Sequence, residues 1–413
     1  MNANPFRLNT KILKDCKIYS MLFRAARKRH VSFHTPGHKK GKWDITELSF
    51  SDNLSAPRGV LKRAQEEIAA ILGANASFIL TDGSTSGVLS MLYAARESGV
   101  RSIALSNQSH KSALNGCKLL GLEVLPENSE EADAVFLTSP DYYGNIPDLP
   151  AIAKACRESG KLLLIDGAHG GHLHFEKGIY AGTYADLWVD GVHKSLPAYT
   201  QGAVVSARTA ELSEKLAEGV DIFRTTSPSY PIMASVEYAV KFPRNERLEA
   251  EVMRLFSEYP ESLSFGGDWT KVCFKIGKRA FEVEKMLEAD GIFAEFCDGK
   301  NVVFYLSPAT TKKQFRVLKK TLKKYLPYAE KTVQPTPAPL FFEKTGATEW
   351  VEIAAAEGRI CAKPCGLFPP CTPLLLCGEK ITREKIRLLQ TADNLFGVKE
   401  GKLCVYQTNE ENE

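Results

Sequence analysis

Between Pro57 and Ala207 short apolar runs alternate with stretches of helical periodicity, and few folds accommodate that pattern. The runs are SFILT (77–81), SIALS (102–106), LEVLP (122–126), AVFLT (134–138), LLLID (162–166), DLWVD (186–190) and GAVVS (202–206). Several are apolar at nearly every position, so both faces of such a strand must be covered. Helices supply the cover. Val60, Ala64, Ile68 and Ile71 recur three or four apart, with Gly73 as the stop and Pro57 suited to the first turn. Leu149–Glu158 and Val88–Arg96 read the same way. The pattern predicts an α/β fold, with a mostly parallel sheet between helices.

Downstream the texture changes. Arg244–Ser257 is a charged amphipathic pattern, followed by KVCFKI (271–276), a helix over Phe281–Leu287, FAEFC (293–297), NVVFYLS (301–307) and a helix over Lys312–Tyr325. That order suggests a small α+β domain. A proline-rich QPTPAPL (334–340) leads to a C-terminal segment with a helix near Arg383–Phe396. The division is therefore an N-terminal segment (1–50), a large domain (51–243), a small domain (244–333) and a C-terminal segment (334–413). At 44% hydrophobic and 25% charged residues, the 413-residue chain has material for sizeable cores, which excludes disorder, collagen-like repeats and a coiled-coil rod.

The net charge of +4 is too small and scattered for a nucleic-acid partner. Of two basic runs, Arg24 to Lys28-Arg29-His30 and Lys319-Lys320 to Lys323-Lys324, the second has the spacing of a solvated helix face. Ten cysteines without a Cys-x-x-Cys pair are expected to be reduced thiols. No secretory leader or membrane span is apparent, so a cytoplasmic protein is expected. Cys361, Cys365, Cys371 and Cys377 fit no zinc spacing and read as unligated thiols.

All eight histidines lie between His30 and His193, which places a polar site in the first half of the chain. Three stretches there carry chemistry. Thr81-Asp82-Gly83-Ser84-Thr85-Ser86-Gly87 joins a strand to a helix; glycine, hydroxyls and free N–H groups make a phosphate cradle, or else a Ser/Thr-rich helix cap. LLLID runs into Gly167-Ala168-His169-Gly170-Gly171-His172, with Asp166 where α/β sheets bind ligands. Asp166 suits a protonated pyridine nitrogen, or a metal shared with His169, His172 and His174; for His172 and His174 solvent-facing positions in a glycine turn are expected. DLWVD runs into Gly191-Val192-His193-Lys194-Ser195, where Lys194 is a Schiff-base candidate or an ordinary loop lysine. Phosphate cradle, strand-end carboxylate and strand-end lysine, in that order, are the grips that one pyridoxal phosphate needs.

With these residues in view, the chain resembles the Orn/Lys/Arg decarboxylases, fold-type-I pyridoxal-phosphate enzymes related to aspartate aminotransferase. The resemblance runs through HTPGHKKG (34–41), DITEL (44–48), DGSTSG (82–87), SHKSALNG (109–116), TSPDYYGNIPDL (138–149), LLIDGAHGGHLHF (163–175), GVHKSLPAYTQGA (191–203), TTSPSYPIMAS (225–235) and PPCTPLLLCGE (369–379). It implies Lys194 as the Schiff-base lysine, Asp166 on the pyridine nitrogen, His110 stacked on the ring, and Ser84, Thr85 and Ser86 at the phosphate. Ala168, His169 and His193 complete the cofactor site, with Lys194 or His193 as possible proton donors. Thr226 and Ser227 match a segment that reaches the phosphate from the neighbouring subunit, implying at least a homodimer. Glu379 matches the end of a segment closing the site, where its carboxylate would meet the substrate's distal cation or else cap the helix beginning near Thr382.

The departures are Gly167 and Gly191, where the family usually has Glu and Ser or Thr, and Cys371 and Cys377 in place of glycine and proline. The implied reaction is decarboxylation of arginine, lysine or ornithine to an amine of polyamine metabolism. The other readings are a different fold-type-I reaction, a histidine-based metal hydrolase and a catalytically dead paralogue.

Overall fold

The computed structural model describes residues 10–27, 31–39, 43–106, 108–330, 346–368, 373–392 and 394–407. The Lys28–His30 run, QPTPAPL and Cys371 lie outside them.

Seven strands, β1 (Ala76–Leu80), β2 (Ser102–Leu105), β3 (Glu123–Pro126), β4 (Ala134–Thr138), β5 (Leu162–Gly167), β6 (Leu187–Asp190) and β7 (Ala203–Ala207), form one sheet in the order β1-β7-β6-β5-β4-β2-β3. β7 runs antiparallel to β1 and β6; the pairings among β2 to β6 are parallel. The absence of alternation in LLLID has its expected cause. Leu163 and Ile165 enter the apolar layer on one face, which also holds Trp188, while Leu164 enters the opposite layer with Leu187 and Val189. Each such side chain contributes about 1.5–3 kcal/mol by leaving water, so neither face tolerates a polar residue cheaply.

Register then concentrates polar groups at one edge. Thr138 pairs with Asp166, which pairs with Val189 on its other side, all at the carboxyl ends of their strands. Beyond β6, a single helical turn, Val192–Ser195, carries Lys194.

Several boundaries differ from the sequence expectation. The helix after β1 spans Gly83–Glu97, so Ser84, Thr85 and Ser86 sit in its first turn rather than in a loop before Val88. The preceding helix begins at Val60, past Pro57; the Asp52 carboxylate accepts from the Arg58, Gly59 and Leu61 N–H groups around its start. The C-terminal helix ends at Thr391, and Leu395–Phe396 instead pairs with Gly366–Leu367.

A second sheet, β8 (Leu263–Ser264), β9 (Lys271–Lys275), β10 (Phe296–Cys297) and β11 (Asn301–Tyr305), is antiparallel in the order β10-β11-β9-β8 and has its own apolar core. Of FAEFC only the last two residues are in the sheet. Helix Lys312–Tyr325 covers this sheet through Phe315, Leu318 and Leu322 and leaves Lys319, Lys320, Lys323 and Lys324 exposed. A further apolar cluster gathers Cys361, Cys365 and Leu375 with Ile353, Ile386 and Val405.

At the other end, helix Lys17–Arg27 is anchored by the buried Glu237, whose carboxylate accepts from the Lys17 and Ile18 N–H groups at 2.6 and 2.8 Å. Among the described residues no helix is long and apolar enough to cross a membrane, and the cysteines are free thiols.

Candidate active site

The carboxyl ends of β4, β5 and β6 bring the sequence candidates together. Lys194 Nζ lies 3.1 Å from His169 Nε2 and 5.9 Å from the centre of the Tyr142 ring. Tyr142 packs edge-on against His169 at 4.6 Å, and Tyr305 of β11 does so from another side at 5.5 Å. Burial, reinforced by the Lys194 and Lys271 cations, holds the His169 imidazole well below its usual range, so it is neutral and accepts from Lys194.

Asp166 is buried, and its Oδ1 accepts from the Ala168 N–H at 3.0 Å. Burial pushes its carboxyl up, opposed by the Lys194 cation and that N–H. His110 is the N-cap of helix Lys111–Leu120, with Nδ1 accepting from the Ser112 N–H; burial and then Lys194 push it down to about 4. Nδ1–H of His193 donates to the Gly202 carbonyl at 2.9 Å; burial lowers its pKa, so its Nε2 is an acceptor at neutral pH rather than a ready donor.

Around these groups lie buried oxygens with no hydrogen-bond partner among the described residues: those of Thr81, Ser84, Ser109, Thr138, Ser139 and Ser195. Orphaned hydroxyls at this density are costly without a ligand to receive them. Ser86 instead donates to the Gly83 carbonyl, and Thr85 is exposed. Two of the departures have a steric cause. A Cβ at Gly191 would lie 2.2 Å from the Ala168 carbonyl oxygen and 2.9 Å from Ser84 Oγ, so a serine or threonine does not fit there. One at Gly167 would lie 2.9 Å from the Val189 carbonyl oxygen. Cys377 Sγ sits 3.1 Å from both the Ala362 carbonyl oxygen and the Tyr406 hydroxyl.

His172 and His174 are not solvent-facing; both are buried. The reason is the second sheet, whose approach covers the glycine turn. His172 Nε2 meets Asp268 Oδ1 at 2.9 Å, and Lys271 pairs with Asp268 Oδ2 at 2.8 Å while donating to the His169 carbonyl at 2.7 Å. Despite burial, His172 and Lys271 hold the Asp268 carboxyl far below its usual range. Asp268, Thr270 and Lys271 were missed in the sequence; the available signal was a charged pair, GDWTK (267–271), opening an apolar strand. The three histidines of the metal alternative face different partners, and no group of metal-ligating residues assembles among the described residues.

His174 donates from Nδ1 to the Gly171 carbonyl at 2.7 Å, and burial pushes it down to about 4 from 6.5. Its folded pKa is below the unfolded value, so its stability contribution is present above pH 6.5 and is lost as pH falls toward 4. His174→Asn keeps the donor and removes the titration. Denaturant melts at about pH 7 and about pH 4.5 should show the variant losing about 2 kcal/mol less than wild type over that interval. Equal losses would remove His174 from the acid limb.

Thr226 and Ser227 are exposed, and the neighbouring Thr225 N–H donates to Asp82 Oδ2 of the same chain at 3.3 Å. Glu379 is partly buried and held within its own segment: it pairs with Lys385 and accepts from the Leu376 N–H at 3.1 Å. Thr382, not Glu379, is the N-cap of helix Arg383–Thr391.

Comparison with known proteins points the same way as this geometry. Residues 122–259 match the model of the Orn/Lys/Arg decarboxylase major domain. An uncharacterised Bacillus subtilis protein, YaaO, is 28% identical over 96% of this chain and 99% of its own length. The arginine decarboxylase of the same organism is 25% identical over 90% of this chain and 92% of its own. The constitutive lysine decarboxylase of E. coli superposes with a TM-score of 0.71 at 18% identity, covering 96% of this chain and 83% of that one, which establishes the fold-type-I architecture. The family model over residues 122–259, the full-length relatives and the shared fold together make the chain similar to the Orn/Lys/Arg decarboxylases.

Proposed function

We propose that this protein decarboxylates a basic amino acid with pyridoxal phosphate held by Lys194. The observation that carries this reading is the meeting of a lysine amine, a buried carboxylate and partnerless buried hydroxyls at the carboxyl ends of adjoining strands. The residues fit the cofactor: Ser84, at the start of a helix, offers an uncommitted hydroxyl to a phosphate, and Asp166 offers a desolvated carboxylate to a pyridinium. His110, kept neutral, offers a ring face. When bound, pyridoxal phosphate supplies an electron sink conjugated to the substrate Cα.

The chain's own groups do the rest. Lys194 provides the anchoring amine, and the neutral His169 beside it can hold or return a proton at Nζ. Lys271 donates to the His169 backbone and so fixes that ring's position against Tyr142 and Tyr305. The buried carboxylate of Asp166 would hold a pyridinium opposite it protonated, and that positive charge would take up the electron pair left on the substrate Cα as carbon dioxide departs. We place the product in polyamine metabolism, the protein in the cytoplasm, and the working unit as at least a homodimer in which Thr226 and Ser227 serve the neighbouring site.

The test is carbon dioxide release from arginine, lysine and ornithine, with norleucine as the uncharged control. We assign recognition of the distal cation to Glu379, whose partly buried carboxylate would exchange Lys385 for the substrate. Glu379→Gln should lower kcat/KM for the basic substrates by about tenfold to a hundredfold and leave norleucine unchanged. A uniform loss, or none, would leave Glu379 with the structural role of tethering Lys385. Release from none of the basic amino acids by cofactor-loaded protein would overturn the proposed function.

A further inference from the structure

Helix Lys17–Arg27, the loop at 49–59 and the start of helix Val60–Leu72 enclose a cleft of about 580 Å³ that shares no lining residue with the site above. Five cations line it: Lys14, Lys17, Arg24, Arg58 and Arg63. Lys17 is paired with Glu67 at 3.1 Å, whereas the side chains of Lys14, Arg24, Arg58 and Arg63 have no acidic partner among the described residues. The acidic group in the wall, Asp52, is committed to backbone amides: Asn53 and Arg58 on Oδ1, Gly59 and Leu61 on Oδ2. Four cations around one concavity repel one another, and an entering anion would relieve that repulsion. Nothing in the proposed reaction uses it.

We infer that this cleft is a binding site for a small molecule bearing two or more phosphate groups. The chemistry selects that class. Guanidinium forks match phosphate oxygens in pairs, and three of them around one space exceed what a single carboxylate engages. The volume lies within the range of small-molecule sites and is large for one phosphate. Phe50, half exposed, and Met21 give the cleft an apolar wall for an organic part. The wall is also tied to the rest of the chain: the Asp52 carbonyl accepts from the Tyr230 hydroxyl at 2.6 Å, and the Leu54 carbonyl accepts from buried Arg224 at 3.0 Å.

Inorganic tripolyphosphate is the probe, titrated calorimetrically into cofactor-loaded protein at low salt. Saturable binding, one ion per chain, is expected. Arg58→Glu/Arg63→Glu, two exposed positions, should weaken it by at least about tenfold while leaving decarboxylation unchanged. Lys319→Glu/Lys320→Glu, on the exposed basic helix, should change it less than about twofold. Arg24→Gln is a milder second variant should the double reversal unfold. Equal loss in both double variants would mean diffuse charge attraction and overturn the site, as would no saturable binding. Affinity for single-stranded oligonucleotides rising with their length would assign the cleft to nucleic acid instead. Dissociation of the oligomer on Arg58→Glu/Arg63→Glu, seen by sedimentation, would assign it to subunit contact.

Discussion

Replacing Lys194 by alanine is expected to lower decarboxylation by more than about a thousandfold, because covalent anchoring and proton handling at Nζ are lost together. The visible absorption of the loaded enzyme should vanish, and borohydride should no longer fix cofactor to the chain. The measurement is peptide mapping after reduction, beside single-turnover carbon dioxide release. The structural basis is the 3.1 Å approach of Nζ to a buried, neutral His169. A variant that retains a reducible bond at another lysine would reassign the anchor.

Asp166→Asn should retain cofactor yet react about a hundredfold to a thousandfold more slowly, the usual scale for losing one preorganised electrostatic group. The amide keeps an acceptor for the Ala168 N–H, so the turn after β5 is preserved. What disappears is the negative charge opposite the electron sink and beside the Lys194 cation. Cofactor content by absorption, thermal midpoint and kcat are the readouts. Unchanged content with a collapsed kcat supports the role; activity within a few fold of wild type removes Asp166 from it.

The residues that define the sheet were readable because strand and helix periods are local. LLLID and DLWVD are apolar at successive positions, and a strand buried on both faces must be. Asp166 and Lys194 follow those runs directly, so their placement at one edge of the sheet follows from chain order and parallel pairing. The cradle was readable in composition but not in extent: a helix can begin at Gly83 through Ser-Thr-Ser only because packing against the sheet outweighs weak local propensity.

Other features depend on groups far apart in the chain, and no local pattern carries them. His172 meets Asp268 across 96 residues and Lys271 meets the His169 carbonyl across 102, so burial of the glycine turn was decided by how the second sheet docks. The same holds for Gly191, whose necessity lies in the Ala168 carbonyl and Ser84 across the site. The five cations lining the N-terminal cleft come from separated stretches, and Glu237 anchors the helix that brings Lys17 and Arg24 to it. By itself, then, the sequence determined the α/β architecture and the chain positions of the lysine and carboxylate, because those rest on short-range periodicity. Only the tertiary structure decided which polar groups are desolvated and paired, because burial is a property of what lands on a residue from elsewhere in the chain.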